Sequence, residues 1–236
     1  MTANRSAGNH FISQSKEVRK KLLRNNLILF SALMILIFVA PHMADSVRFI
    51  SRTALVIVVI SGIFAAEYGK RIINLLMVLG LLVILSMIFS ILFPEIVLLS
   101  ITSFTLITLS LILSTIALIF HMSMAETVEK STILCAINSY LLMGLVASTL
   151  FITLDLFIPN SFMSLEKGEG NISNFIYFGF VTLTTLGYGD ITPSAPLAKS
   201  LSIFMTVAGQ LYLVLVMALI IGKFLSTRNR DNIVSD

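Results

Sequence analysis

Apolar residues in this chain fall in long unbroken runs, separated by short polar segments that hold nearly all of the charge. Six runs read as bilayer-crossing helices, near 26–42, 49–66, 72–93, 96–121, 132–158 and 197–225. A helix rises 1.5 Å per residue, so about 20 apolar residues cross roughly 30 Å of hydrocarbon. Arg52 interrupts the start of the second run and is expected to snorkel to the interface. Only Phe93-Pro94-Glu95 separates the third run from the fourth, which predicts a tight turn. A shorter apolar segment, 173–185, leads into Gly187, Tyr188, Gly189, Asp190 and Pro193. Too short to span, it is expected to enter the membrane as a half-helix and return on the same side. The predicted fold class is therefore all-α and integral to a membrane, with six transmembrane helices plus one re-entrant helix and its loop.

Composition supports this class. Of 236 residues, 57% are hydrophobic and 12% charged, too few polar groups to cover a soluble domain of this size. The net charge of +4 raises the question of nucleic acid, but placement answers it. Lys16, Arg19, Lys20, Lys21 and Arg24 flank the first apolar run, where a membrane-topology signal belongs, and no nucleic-acid partner is expected. With both termini cytoplasmic, the inner segments carry 12 basic residues and the outer ones only Arg48, Arg52, Lys167 and Lys199. That asymmetry predicts a multi-pass plasma or bacterial inner membrane protein whose re-entrant segment dips in from outside. The first run begins too late, and lacks the small-residue cleavage site, for a removable signal peptide. Cys135 is the single cysteine and reads as a packing residue. With His10, His42 and His121 scattered, no zinc cluster and no cofactor are expected. His121 is a lone histidine at a helix end, which usually marks an interface.

The informative stretch is Thr182-Leu183-Thr184-Thr185-Leu186-Gly187-Tyr188-Gly189-Asp190, followed by Thr192-Pro193. Stacked rings of backbone carbonyls can replace the water shell of a dehydrated cation. Consecutive carbonyls must then face one axis, whereas an extended strand alternates them. Passing through the φ > 0 region at alternate residues solves this, and Gly187 and Gly189 reach that region without steric cost. Thr185 adds a hydroxyl oxygen at the inner end, and Tyr188 is expected to point away from the axis and pack on the half-helix. A half-helix starting near Ser173, with Ser173 as its cap, would direct the negative end of its dipole toward a cation at the membrane centre. Thr182 and Thr184 are expected to hydrogen-bond locally behind the filter.

These residues resemble the signature of the potassium channel superfamily in its bacterial six-span form, and the resemblance covers roughly 131–225. It implies a homotetramer around a central pore, with an outer helix (132–158), a pore helix and an inner helix (197–225). Four chains supply the carbonyl ring, because each chain carries one filter. By position, Thr185, Leu186, Gly187 and Tyr188 would coordinate K⁺, with Gly189 completing the filter. Asp190 would stand at the outer mouth, bonded to Tyr177. Leu186 departs from the commoner valine or isoleucine; as a carbonyl donor it bears on fine selectivity rather than on ion type. Potassium ions and membrane lipid are the other expected partners.

Gly209 lies inside the last run, in a stretch similar to the inner-helix hinge of bacterial potassium channels; hinge and close packing are both open to it. Thr206, Gln210, Leu213 and Met217 share one helical face and are candidates for a water-filled cavity. Ile221 and Leu225 continue that face as candidates for a hydrophobic gate, with lipid contact or packing as the alternative for each. Asp155 either bonds the amides that open the half-helix and so supports the filter, or simply reaches outer water.

The first four runs resemble a voltage-sensing bundle in number and order, yet 96–121 holds no Arg or Lys. A steep voltage response therefore has no source there, and the bundle reads as scaffold or as an unrecognised sensor. The expected organisation is a basic cytoplasmic segment (1–25), a sensor-like bundle (26–121), a linker (122–131), a pore domain (132–225) and a cytoplasmic tail (226–236). No catalytic constellation is visible, so no enzyme is expected. The competing functions are a non-selective cation channel and, from another class, a potassium transporter subunit; the intact filter with Tyr188 argues against both.

Overall fold

The computed structural model describes residues 2–39, 48–65, 70–125, 128–163 and 172–235. It is almost wholly helical: α1 (Thr2–Val39), α2 (Arg48–Ala65), α3 (Lys70–Leu92), α4 (Val97–Met124), α5 (Lys130–Phe157), α6 (Ile172–Leu183) and α7 (Pro196–Ser235). Two short strands, β1 (Phe162–Met163) and β2 (Thr192–Pro193), pair antiparallel. Helix satisfies each backbone amide within its own segment, which hydrocarbon demands. Among the described residues five helices are long and apolar enough to cross a membrane: Arg19–Val39, Ile73–Leu92, Val97–Met124, Lys130–Phe157 and Pro196–Lys223. The chain is thus a multi-pass membrane protein. Ile50–Ala65, expected as a sixth span, is a shorter apolar helix.

Helices α1 to α4 pack around a core that includes Leu29, Leu33, Leu55, Val58, Leu111 and Leu118. The turn between α3 and α4 is as tight as Pro94 implies, closed by the Ile96 amide donating to the Phe93 carbonyl at 3.2 Å. Where a voltage sensor would carry basic residues, the buried face of α4 carries Ser100, Ser103, Ser110 and Ser114. Ser103 and Ser110 return their hydroxyls to carbonyls one turn back, so small polar groups enter the bundle without needing charge partners.

Arg52 corrects the expectation of a snorkelling side chain. It turns into the bundle, donates to the Ser90 hydroxyl at 3.1 Å and lies 5.9 Å above the Phe104 ring. Ser90 in turn meets the Ser100 hydroxyl at 3.0 Å. Hydroxyls and an aromatic face thereby replace the water that the guanidinium gives up.

A second polar cluster joins this bundle to α5. Asn26 donates to the Ala65 carbonyl at 2.6 Å, and Asn138 donates to the Asn26 backbone and side-chain oxygens at 2.9 and 3.1 Å. Asn26, Asn138 and Cys135 are all buried, so the contact specifies register as well as packing.

Helix α6 seats on α5 through small residues. A Cβ at Gly144 would collide with the Phe180 ring, and one at Gly179 with the Ser148 hydroxyl and the α5 backbone. Removing two side chains lets the helix axes approach closely, the usual solution where lipid offers no hydrophobic driving force. Phe162 of β1 extends this interface, its ring 5.4 Å from each of Phe151, Phe175 and Phe178.

Candidate functional site

The loop after α6 begins with a defined helix cap. The Leu186 amide donates to the Val181 carbonyl at 2.9 Å, and the Thr185 amide to the Thr182 carbonyl at 3.1 Å. This pair of bonds is a Schellman motif, and it places Thr185 at the position that normally requires a left-handed residue. Thr185 has φ 62°, although glycine usually fills this place and a β-branched residue there is strained. Left-handed conformation then recurs at Gly187 (φ 58°) and Gly189 (φ 80°). Three alternate residues, 185, 187 and 189, therefore share the inverted backbone sign. The sequence marks the two glycines for this role but not Thr185, whose β-branched side chain disfavours φ > 0 and whose conformation follows from the helix cap.

Thr185 to Gly189 lie on the open side of the chain, with Leu186 and Tyr188 55% and 67% exposed. The Tyr188 ring stacks on Tyr177 of α6, centroids 6.5 Å apart and planes at 2°. The Tyr177 hydroxyl hydrogen-bonds the Asp190 carboxylate, and this bond holds the Asp190 carboxyl below the usual carboxylate range. One side chain of α6 thus touches both residues that flank Gly189. Thr184 donates to the Phe180 carbonyl at 2.7 Å, while the Thr182 carbonyl receives the Thr185 amide. Helix α6 begins at Ile172, so Ser173 sits within its first turn rather than capping it.

Asp155 takes a different partner from the one expected. Its Oδ1 accepts the Ser161 amide at 3.1 Å, closing the turn after its own helix instead of reaching the start of α6. The effect still arrives beside the loop that follows α6. The Ser161 carbonyl accepts the Ser194 amide at 2.8 Å, and Ser194 donates its hydroxyl to the Asn160 carbonyl at 2.7 Å. With Phe162 paired to Pro193 and Met163 to Thr192, the chain after Gly189 is fastened to the chain leaving α5.

The candidates on α7 divide. Thr206 and Gly209 turn toward α6: the Thr206 hydroxyl donates to the Ser202 carbonyl at 2.9 Å and approaches the Thr182 carbonyl at 3.3 Å. A Cβ on Gly209 would stand 2.6 Å from the Leu183 carbonyl oxygen. Both positions thus pack against the end of α6, and for Gly209 the close approach matches the packing alternative. Gln210, Leu213, Met217 and Ile221 are exposed along the free face of α7. The side chain of Leu225 lies outside the described residues. Tyr212, buried on the opposite face, donates to the Ala136 carbonyl at 2.6 Å and meets the Ser139 hydroxyl at 2.6 Å. A polar tip on an otherwise apolar stripe is the only sign in the sequence of this anchor between α7 and α5.

Residues 139–226 match a family model described as "Ion channel". Similarity also extends to the two pore potassium channel c of Oryza sativa subsp. japonica, 42% identical over 52 residues. That segment is 22% of this chain and 11% of the rice protein. Potassium channel K1 of Plasmodium berghei (strain Anka) is 50% identical over 34 residues, 14% of this chain and 2% of the parasite protein. The chain thus aligns with a small part of either relative. No solved structure gives a significant match. The segment that matches the ion channel family model therefore takes in most of α5, α6, the loop after it and α7 as far as residue 226.

Proposed function

We propose that this chain is one subunit of a homotetrameric, potassium-selective channel that passes K⁺ passively across the cell membrane. The observation that carries the reading is the alternation of left-handed residues at Thr185, Gly187 and Gly189 directly behind the capped end of α6. Such alternation turns successive carbonyls to one side, so four copies around an axis make stacked oxygen rings. The K⁺ ligands would be the carbonyls of Thr185, Leu186, Gly187 and Tyr188, with the Thr185 hydroxyl innermost. The negative end of the α6 dipole adds its potential near that inner end. Tyr177, holding Tyr188 and Asp190, and Asp155, holding the loop to β1, would keep the rings at a fixed radius.

Both termini are cytoplasmic in this reading, and Gln210, Leu213 and Met217 line the cavity, with Ile221 and Leu225 at its gate. Conduction needs neither a cofactor nor catalysis. Four-helix bundle α1–α4 contributes little voltage dependence, since α4 holds no Arg or Lys. Reversal potentials of the purified protein in planar bilayers, with sodium and potassium mixed in opposite proportions on the two sides, test the proposal. A reversal near the potassium equilibrium potential is expected. A reversal near zero would make it a non-selective cation channel, and flux without unitary current steps would make it a transporter subunit.

A further inference from the structure

The buried stripe of α7 runs through Met205, Gly209, Tyr212 and Val216, continues at partly buried Ile220, and at the same spacing reaches Lys223. A stripe that packs α7 against its own subunit thus ends in a charge. The Lys223 ammonium donates to the carbonyls of Met122 at 2.8 Å, Ser123 at 2.8 Å and Ala125 at 2.6 Å. All three belong to the last turn and cap of α4, about 100 residues earlier in the chain. Carbonyls there have no amide partner within their own helix, and the helix dipole is negative at this end. An ammonium with three N–H donors matches three such acceptors. Glu129, at the far end of the short connection between α4 and α5, pairs with Arg19 of α1 at 2.6 Å, so the same junction is also held from a second side.

We propose that Lys223 is a positioning residue for the inner mouth, latching the inner end of α7 to the end of α4. The inference rests on the channel reading above and adds a route from the bundle to the pore. Ile221 lies two residues before Lys223 and is exposed on the free face of α7. Tying Lys223 to α4 draws that end of the helix toward the bundle and away from the axis on which four copies converge. A shift of the α4 terminus is then passed to α7 without any charge moving inside α4.

Single-channel recording of Lys223→Arg, Lys223→Gln and Lys223→Met tests this. Arg keeps the charge and the donors, Gln keeps two donors, and Met keeps only the length. Open probability is expected to fall in that order, with Met about tenfold below wild type, the factor for losing a charge-assisted hydrogen bond. Unitary conductance and potassium-over-sodium reversal potential should not change. Open probability of the Met variant that rises, or stays within about twofold of wild type, overturns the latch. If the Met variant does not assemble, Arg against Gln decides: a lower value for Gln supports the latch, and equal values overturn it. Loss of potassium selectivity in the wild-type protein would count against the channel reading alone, since open probability remains measurable for whatever ion passes.

Discussion

Gly209 of α7 packs directly against Leu183 at the end of α6, so close that a Cβ would stand 2.6 Å from the Leu183 carbonyl oxygen. That oxygen is backbone at a helix terminus and cannot swing aside as a side chain would. Gly209→Ala is therefore expected to lower the stability of the assembled protein by about 1–3 kcal/mol. Gly222→Ala serves as control, because nothing lies within 4 Å of its Cβ position, and should stay within about 0.5 kcal/mol of wild type. Thermal melting in detergent measures both. Unchanged melting with altered open times in Gly209→Ala would instead favour a hinge.

At Gly187 the reason for glycine is different. No atom lies within 4 Å of its Cβ position, and only the backbone sign, φ 58°, excludes other residues. Gly187→Ala should cost about 1–2 kcal/mol per chain at the filter, from left-handed strain rather than from collision. The expected outcome is a folded protein whose reversal potential no longer follows the potassium gradient. An intact tetramer with wild-type selectivity would contradict it.

Acid should probe the outer mouth through Asp190. Its carboxyl is held below the usual range by the Tyr177 hydroxyl, so the bond from neutral Tyr177 to ionised Asp190 contributes fully above the unfolded carboxylate value. The contribution is lost only as pH falls through the lowered value. Wild-type conductance is expected to survive external acidification across the ordinary carboxylate range. Tyr177→Phe removes the hydrogen bond and should move the acid midpoint upward; coincident midpoints for the two proteins would rule out the pairing as the cause.

Voltage dependence is expected to be shallow. Moving one charge through the full field is worth about 2.3 kcal/mol per 100 mV, and α4 presents serines where such charges would sit. Arg52 is a cation inside the bundle, but its bond to Ser90 ties it from α2 to α3. Conductance measured from −100 to +100 mV in the absence of blocking ions should change gently, a range on the order of the field used for that energy. A steep sigmoid would overturn the expectation, and its loss in Arg52→Gln would identify the charge responsible.

Much of this molecule could be read from its sequence because hydrocarbon removes choices. A run of about 20 apolar residues has no way to satisfy its amides except as a helix, so the helices and the tight turn at Pro94 followed from pattern alone. Gly187 and Gly189 announced left-handed backbone for the same kind of reason, since glycine at alternate places has little other use in so short a loop. Tertiary structure decided what depends on partners distant in sequence. Thr185 adopts a conformation that its own side chain disfavours because the end of α6 imposes it. Asp155 found the turn after its own helix, Arg52 found Ser90 and Phe104, and Lys223 found the open carbonyls of α4. A lone polar group on an apolar helix announces only that it must be satisfied; which neighbour satisfies it is settled when the helices pack.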